Sequence, residues 1–282
     1  MLIFEFLQTH MFYSSLIVFV FALIIGSFFN VVILRYPEML KRAFLKECAD
    51  FECDASQSSQ DSLKTDPFDL IYPPSHCPHC KKKLRWFHNI PVFSYLFLKG
   101  RCGFCRAPIS CMYPVVEILT AILTVFIFLY FGFQLKTVAG ILFAWILILI
   151  TFIDIRTFLI PDALSLSLLW LGLFFNLSHV FVSLDQAVIG VIAGYLFLFV
   201  IAKLFYWIRR KEGMGEGDFK LLAALGAWFG WMTLPAILLV AILLSLIVSI
   251  VVMCTRQRFS LNMVIPFAPF LSISGLLFIF WH

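Results

Sequence analysis

Residues 137–154 read TVAGILFAWILILITFID, seventeen residues without a charge, closed by the carboxylate of Asp154. A run of about 17–25 such residues is long enough to cross the hydrocarbon of a bilayer as a helix. Comparable apolar runs lie at 11–34, 114–133, 163–182, 186–208, 219–232, 234–254 and 263–281. The whole chain of 282 residues is 62% hydrophobic and 13% charged, with 34 Phe and a mean hydropathy of +0.99. An ordinary soluble domain carries about 25% charged residues, so a water-soluble globular enzyme is excluded. The pattern predicts an all-α polytopic membrane protein with about eight transmembrane helices. Seven is the alternative, because 219–232 is short and Trp228–Pro235 can turn tightly into the next run. No Lys or Arg precedes the first run, which is longer than a signal core, so it reads as a retained anchor.

Charge is concentrated between the first two runs. Residues 35–112 hold 12 of the 21 Lys and Arg, 8 of the 16 Asp and Glu, and seven of the eight Cys. This divides the chain into a first helix (1–34), a large polar loop (35–112) and a transmembrane domain (113–282). With eight spans, one face carries every basic residue except Lys136. Basic loops stay in the cytoplasm, so the large loop is expected there and both termini on the opposite side. The net charge of +5 is then a topology signal that favours contact with anionic membrane lipid, and no nucleic-acid partner is expected.

Within the loop stand Cys77-Pro-His-Cys80 and, after 21 residues, Cys102-Gly-Phe-Cys105. Two such knuckles can turn four thiolates toward one centre and close a tetrahedral shell around zinc. A loop with few apolar residues would take much of its folding energy from that metal. Disulfides are the competing use, and a reducing compartment disfavours them. His76, His79 and His88 could each replace a thiolate. Cys48 and Cys53 form a weaker second pair, and Cys111 and Cys254 read as packing residues.

Acids at the edges of spans are costly and point to function. Glu117 lies one turn into the second run, where it suits the positive end of a helix. Asp185 reads as an N-cap. Asp154 ends the third run, and Asp218 opens the sixth in Gly213-Met-Gly215-Glu-Gly217-Asp218-Phe-Lys220; both belong at the same cytoplasmic depth. A close carboxyl pair in a low dielectric shares one proton, so one member can activate water while the other protonates a carbonyl oxygen. That is aspartic peptidase chemistry. Asp162, after Ile160-Pro161, rivals Asp154, although capping the fourth helix also explains it. A proton relay in a transporter and a non-catalytic assembly factor with a zinc docking loop are the other readings.

The chain resembles the type 4 prepilin peptidases, membrane aspartic peptidases of the Gly-x-Gly-Asp type. The likeness covers Gly26-Ser-Phe-Phe-Asn30 through Pro37, both cysteine knuckles and Asn89-Ile-Pro91. It continues in Tyr113-Pro114-Val-Val-Glu117, Asp154 with Ile160-Pro161-Asp162, Gly213 to Lys220 and Pro266-Phe-Ala-Pro-Phe-Leu271. The resemblance implies that Asp154 and Asp218 are the catalytic pair, with Asp162 in a supporting role. It also implies that Cys77, Cys80, Cys102 and Cys105 bind zinc. Its substrates would be type IV prepilins and the pseudopilins of type II secretion, cut after a basic leader at the cytoplasmic side of the inner membrane. N-methylation of the new terminus by S-adenosylmethionine would follow, an activity tied to the loop; peptidase activity alone is the alternative. Glu216 and Ala268 depart from the family pattern, which often has an aromatic residue and Gly there. Glu216 and Glu212 could attract the basic leader.

Overall fold

The computed structural model describes residues 11–53, 68–210, 215–256 and 265–281. Glu212, Gly213 and the polar stretch 56–61 lie outside the described residues, as do the side chains of Cys53 and His88. The described residues are nearly all helical, and the chain forms two compact units, residues 1–129 and 130–282.

In the first unit, α1 (Met11–Cys53) runs 19 residues past the expected end of the first span, through Pro37. The sequence beyond Pro37 is rich in helix formers (Glu, Leu, Lys, Arg, Ala), and Arg42 pairs with Glu38 one turn away at 3.2 Å, which supports continuation. At 1.5 Å per residue α1 is about 65 Å long, twice the hydrocarbon thickness. The large loop therefore begins as a helix. It continues as two cysteine turns, a short 3₁₀ turn (Trp86–Asn89) and α2 (Phe93–Phe97), then enters α3 (Met112–Phe131). Arg35 ties the loop to α1 by donating to the carbonyls of Asp69 (3.1 Å) and Pro73 (2.6 Å).

In the second unit, α4 (Leu135–Thr157), α5 (Asp162–Asn176), α6 (Leu184–Arg209), α7 (Glu216–Phe229), α8 (Leu234–Arg256) and α9 (Ala268–Phe278) follow. Helix α7 is central, packed on α5, α6, α8 and α9. Every residue from Leu221 to Phe229 is buried, as expected of a helix that is apolar all round. Small residues let its neighbours approach. A Cβ on Gly190 of α6 would strike the backbone of Gly226, and one on Gly226 would strike Gly190, a small-residue contact of the kind that packs helices in lipid.

Each predicted run coincides with a helix, but among the described residues only α1, α3, α4, α6 and α8 are long and apolar enough to cross a membrane. Helix α7, with 14 residues, spans about 21 Å. Gly230, at φ +74°, ends it. Asn176 at the end of α5 donates to the carbonyls of Ala227 (2.8 Å) and Trp228 (3.1 Å) and accepts from the amides of Phe181 and Val182. One amide thus satisfies backbone groups that an apolar surrounding would otherwise leave unpaired. Its value could not be read from a lone Asn in an apolar run. The cap of α6 is also displaced from its expected place. Ser183 is the N-cap and accepts from Gln186, while Asp185 lies in the first turn. There its charge still faces the positive end of the helix.

Candidate active site and metal centre

Asp154 sits in the last turn of α4, which closes at Phe158 in the left-handed region, its amide bonded to the Asp154 carbonyl at 2.9 Å. The side chain is 5% exposed. The backbone N–H of Ala268, the first residue of α9, lies near its carboxyl. That N–H is one of the unpaired donors at a helix start, and the helix dipole adds positive potential there. The Pro266-to-Leu271 block, which carried no chemistry when read as sequence, therefore brings a helix start beside this aspartate.

Asp218 lies in the first turn of α7, its amide bonded to the Gly215 carbonyl at 3.2 Å. Its carboxyl is close enough to Asp154 for the two to interact electrostatically. Two further contacts hold this turn. Gly217 packs directly on Ile160: a Cβ there would lie 2.7 Å from the Ile160 Cβ. Lys220 Nζ donates to Asp162 Oδ1 at 2.6 Å. Asp162 is thus the first residue of α5, ion-paired to the same helix turn that carries Asp218. Glu216 is exposed in the same turn.

In the first unit the four loop cysteines converge. Their Sγ atoms all lie within 4.8 Å of one another, and Cys77 Sγ is 3.8 Å from Cys105 Sγ. A tetrahedron with Zn–S bonds of about 2.3 Å has edges of about 3.8 Å, so the four thiols fit zinc. The two knuckles share one geometry. The Cys77 amide bonds to the Lys82 carbonyl and the Cys102 amide to Ala107. Bridges join His76 to Lys83 and Arg101 to Pro108. Lys81 and Arg106, each just after a second cysteine, are both left-handed at φ 57°. Backbone amides of Cys105 and Phe104 point at the Cys102 sulfur and hold its thiol down, to about 6, which favours the thiolate a metal needs. His76 is exposed, with Nδ1 3.0 Å from the Pro74 carbonyl, and His79 is exposed as well. Cys48 and Cys111 are free thiols outside the cluster.

Glu117 belongs to a polar knot between elements. It is buried in α3 and accepts from the Val92 amide (2.7 Å) and Asn30 Nδ2 (3.4 Å). Its carboxylate joins α1, the loop and α3, a larger role than charge at a helix start. Asn30 and Val92 were the missed partners, since 87 and 25 residues separate them from Glu117.

Residues 20–131 match the Bacterial Peptidase A24 N-terminal domain, and residues 141–250 match the Type IV leader peptidase family. A protein of Aeromonas hydrophila is 45% identical over 269 residues, covering 95% of this chain and 91% of its own. One from Legionella pneumophila is 42% identical with 95% and 92% coverage. One from Stutzerimonas stutzeri is 41% identical with 98% and 94%. Each is named prepilin leader peptidase/N-methyltransferase. No solved structure matches the chain. With two consecutive domains matched in order and relatives aligned over nearly their full length, the chain belongs to the type IV leader peptidase family.

Proposed function

We propose that this membrane protein cleaves the basic leader from type IV prepilins and pseudopilins and then N-methylates the new terminus. The observation that supports the reading is that Asp154, in the last turn of α4, and Asp218, in the first turn of α7, lie within electrostatic range of one another. In the proposed reaction one carboxylate takes a proton from water, whose oxygen attacks the scissile carbonyl. The other carboxyl protonates that carbonyl oxygen. Collapse of the tetrahedral adduct breaks the C–N bond, and the nitrogen leaves with a proton returned by the dyad. The start of α9 stands beside Asp154, and the Gly217–Ile160 contact orients Asp218.

Zinc at Cys77, Cys80, Cys102 and Cys105 would hold the loop folded; four thiolates leave no open position for chemistry. S-adenosylmethionine supplies the methyl group in the proposed second activity. It carries two positive centres, and residues 70–111 contain no acid, so these loop residues do not fit it by themselves and no step is derived through it. The domain reading follows: 1–34 as first transmembrane helix, 35–112 as the zinc loop tied to methylation, 113–282 as the peptidase. The basic face supports a reading in which the loop and dyad lie on the cytoplasmic side of the inner membrane and both termini are periplasmic.

The test is cleavage of a prepilin in liposomes by the parent chain, Asp154→Asn, Asp218→Asn and Asp162→Asn, with product N-termini read by mass spectrometry. The first two variants are expected to be inactive while folded, and the third to retain most activity. A further gain of about 14 Da, one methylene, that depends on S-adenosylmethionine reports methylation. Parent-like cutting by Asp154→Asn or Asp218→Asn would overturn the dyad.

A further inference from the structure

From Leu70 to Val116 the chain has seven Lys and Arg and no acid. Lys81, Lys82, Lys83, Arg85, Lys99, Arg101 and Arg106 are all exposed. Even if a zinc tetrathiolate carries two negative charges, this segment remains strongly cationic. Such a segment repels basic partners and collects on anionic surfaces.

The same segment exposes large apolar side chains. On α2, Phe93 is 56% exposed, Leu96 64% and Phe97 85%. Neighbouring Ile90 is exposed as well. Five residues of helix with three bare apolar side chains cannot be a soluble surface by design, since patches of this kind mark an interaction.

Geometry within the unit sets the depth of α2. The Val92 amide, just before α2, is bonded to Glu117 at 2.7 Å, and the Tyr95 hydroxyl lies 3.2 Å from Cys111 Sγ. Cys111 immediately precedes α3, and Glu117 is its sixth residue, about 7.5 Å along a helix whose 20 residues match the hydrocarbon thickness. Thus α2 is held beside the first two turns of a membrane span. If α3 crosses the bilayer from Met112, Phe93, Leu96 and Phe97 come to the level where hydrocarbon gives way to headgroups, and the cations flank them in sequence.

We propose that the zinc-knuckle module docks on the bilayer, with α2 inserted at the interface and the Lys81–Arg85 and Lys99–Arg106 cations against anionic lipid headgroups. Apolar insertion combined with basic side chains is the pairing that holds interfacial segments on anionic membranes. In the cell this rests on the proposed cytoplasmic placement of the loop. A nanodisc presents both faces to the same lipid, so the test below is independent of orientation and of cleavage.

The full chain is reconstituted in nanodiscs of phosphatidylcholine, or of phosphatidylcholine with about 30% phosphatidylglycerol, and amide hydrogen exchange is followed over residues 81–106. Exchange over 90–99 is expected to be about tenfold slower on the anionic discs, and about 0.5 M salt should remove most of that difference. Lys81→Gln/Lys82→Gln/Lys83→Gln should reduce the difference, and Phe97→Ser should raise exchange on both discs. Unchanged zinc content in each variant shows that the knuckles stay folded. Equal exchange on the two lipids overturns the proposal. So does protection that appears only when a prepilin is added, which would make the surface a protein-docking site.

Discussion

Gly217→Ala is the sharpest test of how the site is built. The added methyl would lie 2.7 Å from the Ile160 Cβ, with Ile160 Cδ1 and Cγ1 at 3.1 and 3.2 Å. Carbon atoms rest at about 3.5–4.0 Å, so the first turn of α7 must retreat by about 1 Å. The obstacle is the stem of a β-branched side chain, which cannot swing aside. Asp218 is the next residue and moves with the turn. A 1 Å misplacement of a reacting group can cost about a hundredfold in rate, so kcat/KM for leader cleavage should fall by about that factor. The assay is quantitative cleavage in liposomes, with thermal unfolding to show that the variant is folded. Ile160→Gly removes the obstructing Cβ, so the double variant should recover about tenfold over Gly217→Ala, a non-additivity expected only of residues in contact. Gly215 is the control: among the described residues nothing lies within 4 Å of its Cβ position, and its φ of −73° suits any residue, so Gly215→Ala should cut like the parent. Full activity in Gly217→Ala, or equal losses at both glycines, would refute the reasoning.

Three further outcomes are expected. Cys102→Ser should take bound zinc from about one per chain to near zero, measured by elemental analysis, and expose residues 76–108 to protease. Because zinc must displace a proton from each of the four thiols, one held down to about 6 at Cys102 and one pushed up to about 11 at Cys105, zinc uptake by metal-free protein should weaken as pH falls. Asn176→Leu leaves two carbonyls and two amides without their partner. It should destabilise the second unit by about 2–4 kcal/mol, seen as a lower Tm, with the N-terminal zinc unaffected. Glu216→Gln should raise KM for a basic leader a few-fold at low salt, with the gap closing at high salt; an unchanged KM would show that Glu216 does not attract the leader.

The membrane class, the apolar runs and the two knuckles were all legible in the sequence, for one physical reason. Each is a local pattern: a run longer than the hydrocarbon is thick, or a pair of cysteines two residues apart. Asp154 and Asp218 were legible as candidates because a carboxyl among apolar residues is costly wherever it lies. Where α1 ends was not legible, since charge reads as loop while Glu38 and Arg42 support a helix. Tertiary structure alone decided the remaining assignments. Asp162 was paired with Lys220, 58 residues away, and the start of α9 came beside Asp154. The short α7 was closed by Asn176, and Glu117 was joined to Asn30 and Val92. These are contacts between elements far apart in the chain, so no periodicity or spacing encodes them. They exist only once helices pack closely enough for one backbone to reach another's side chain.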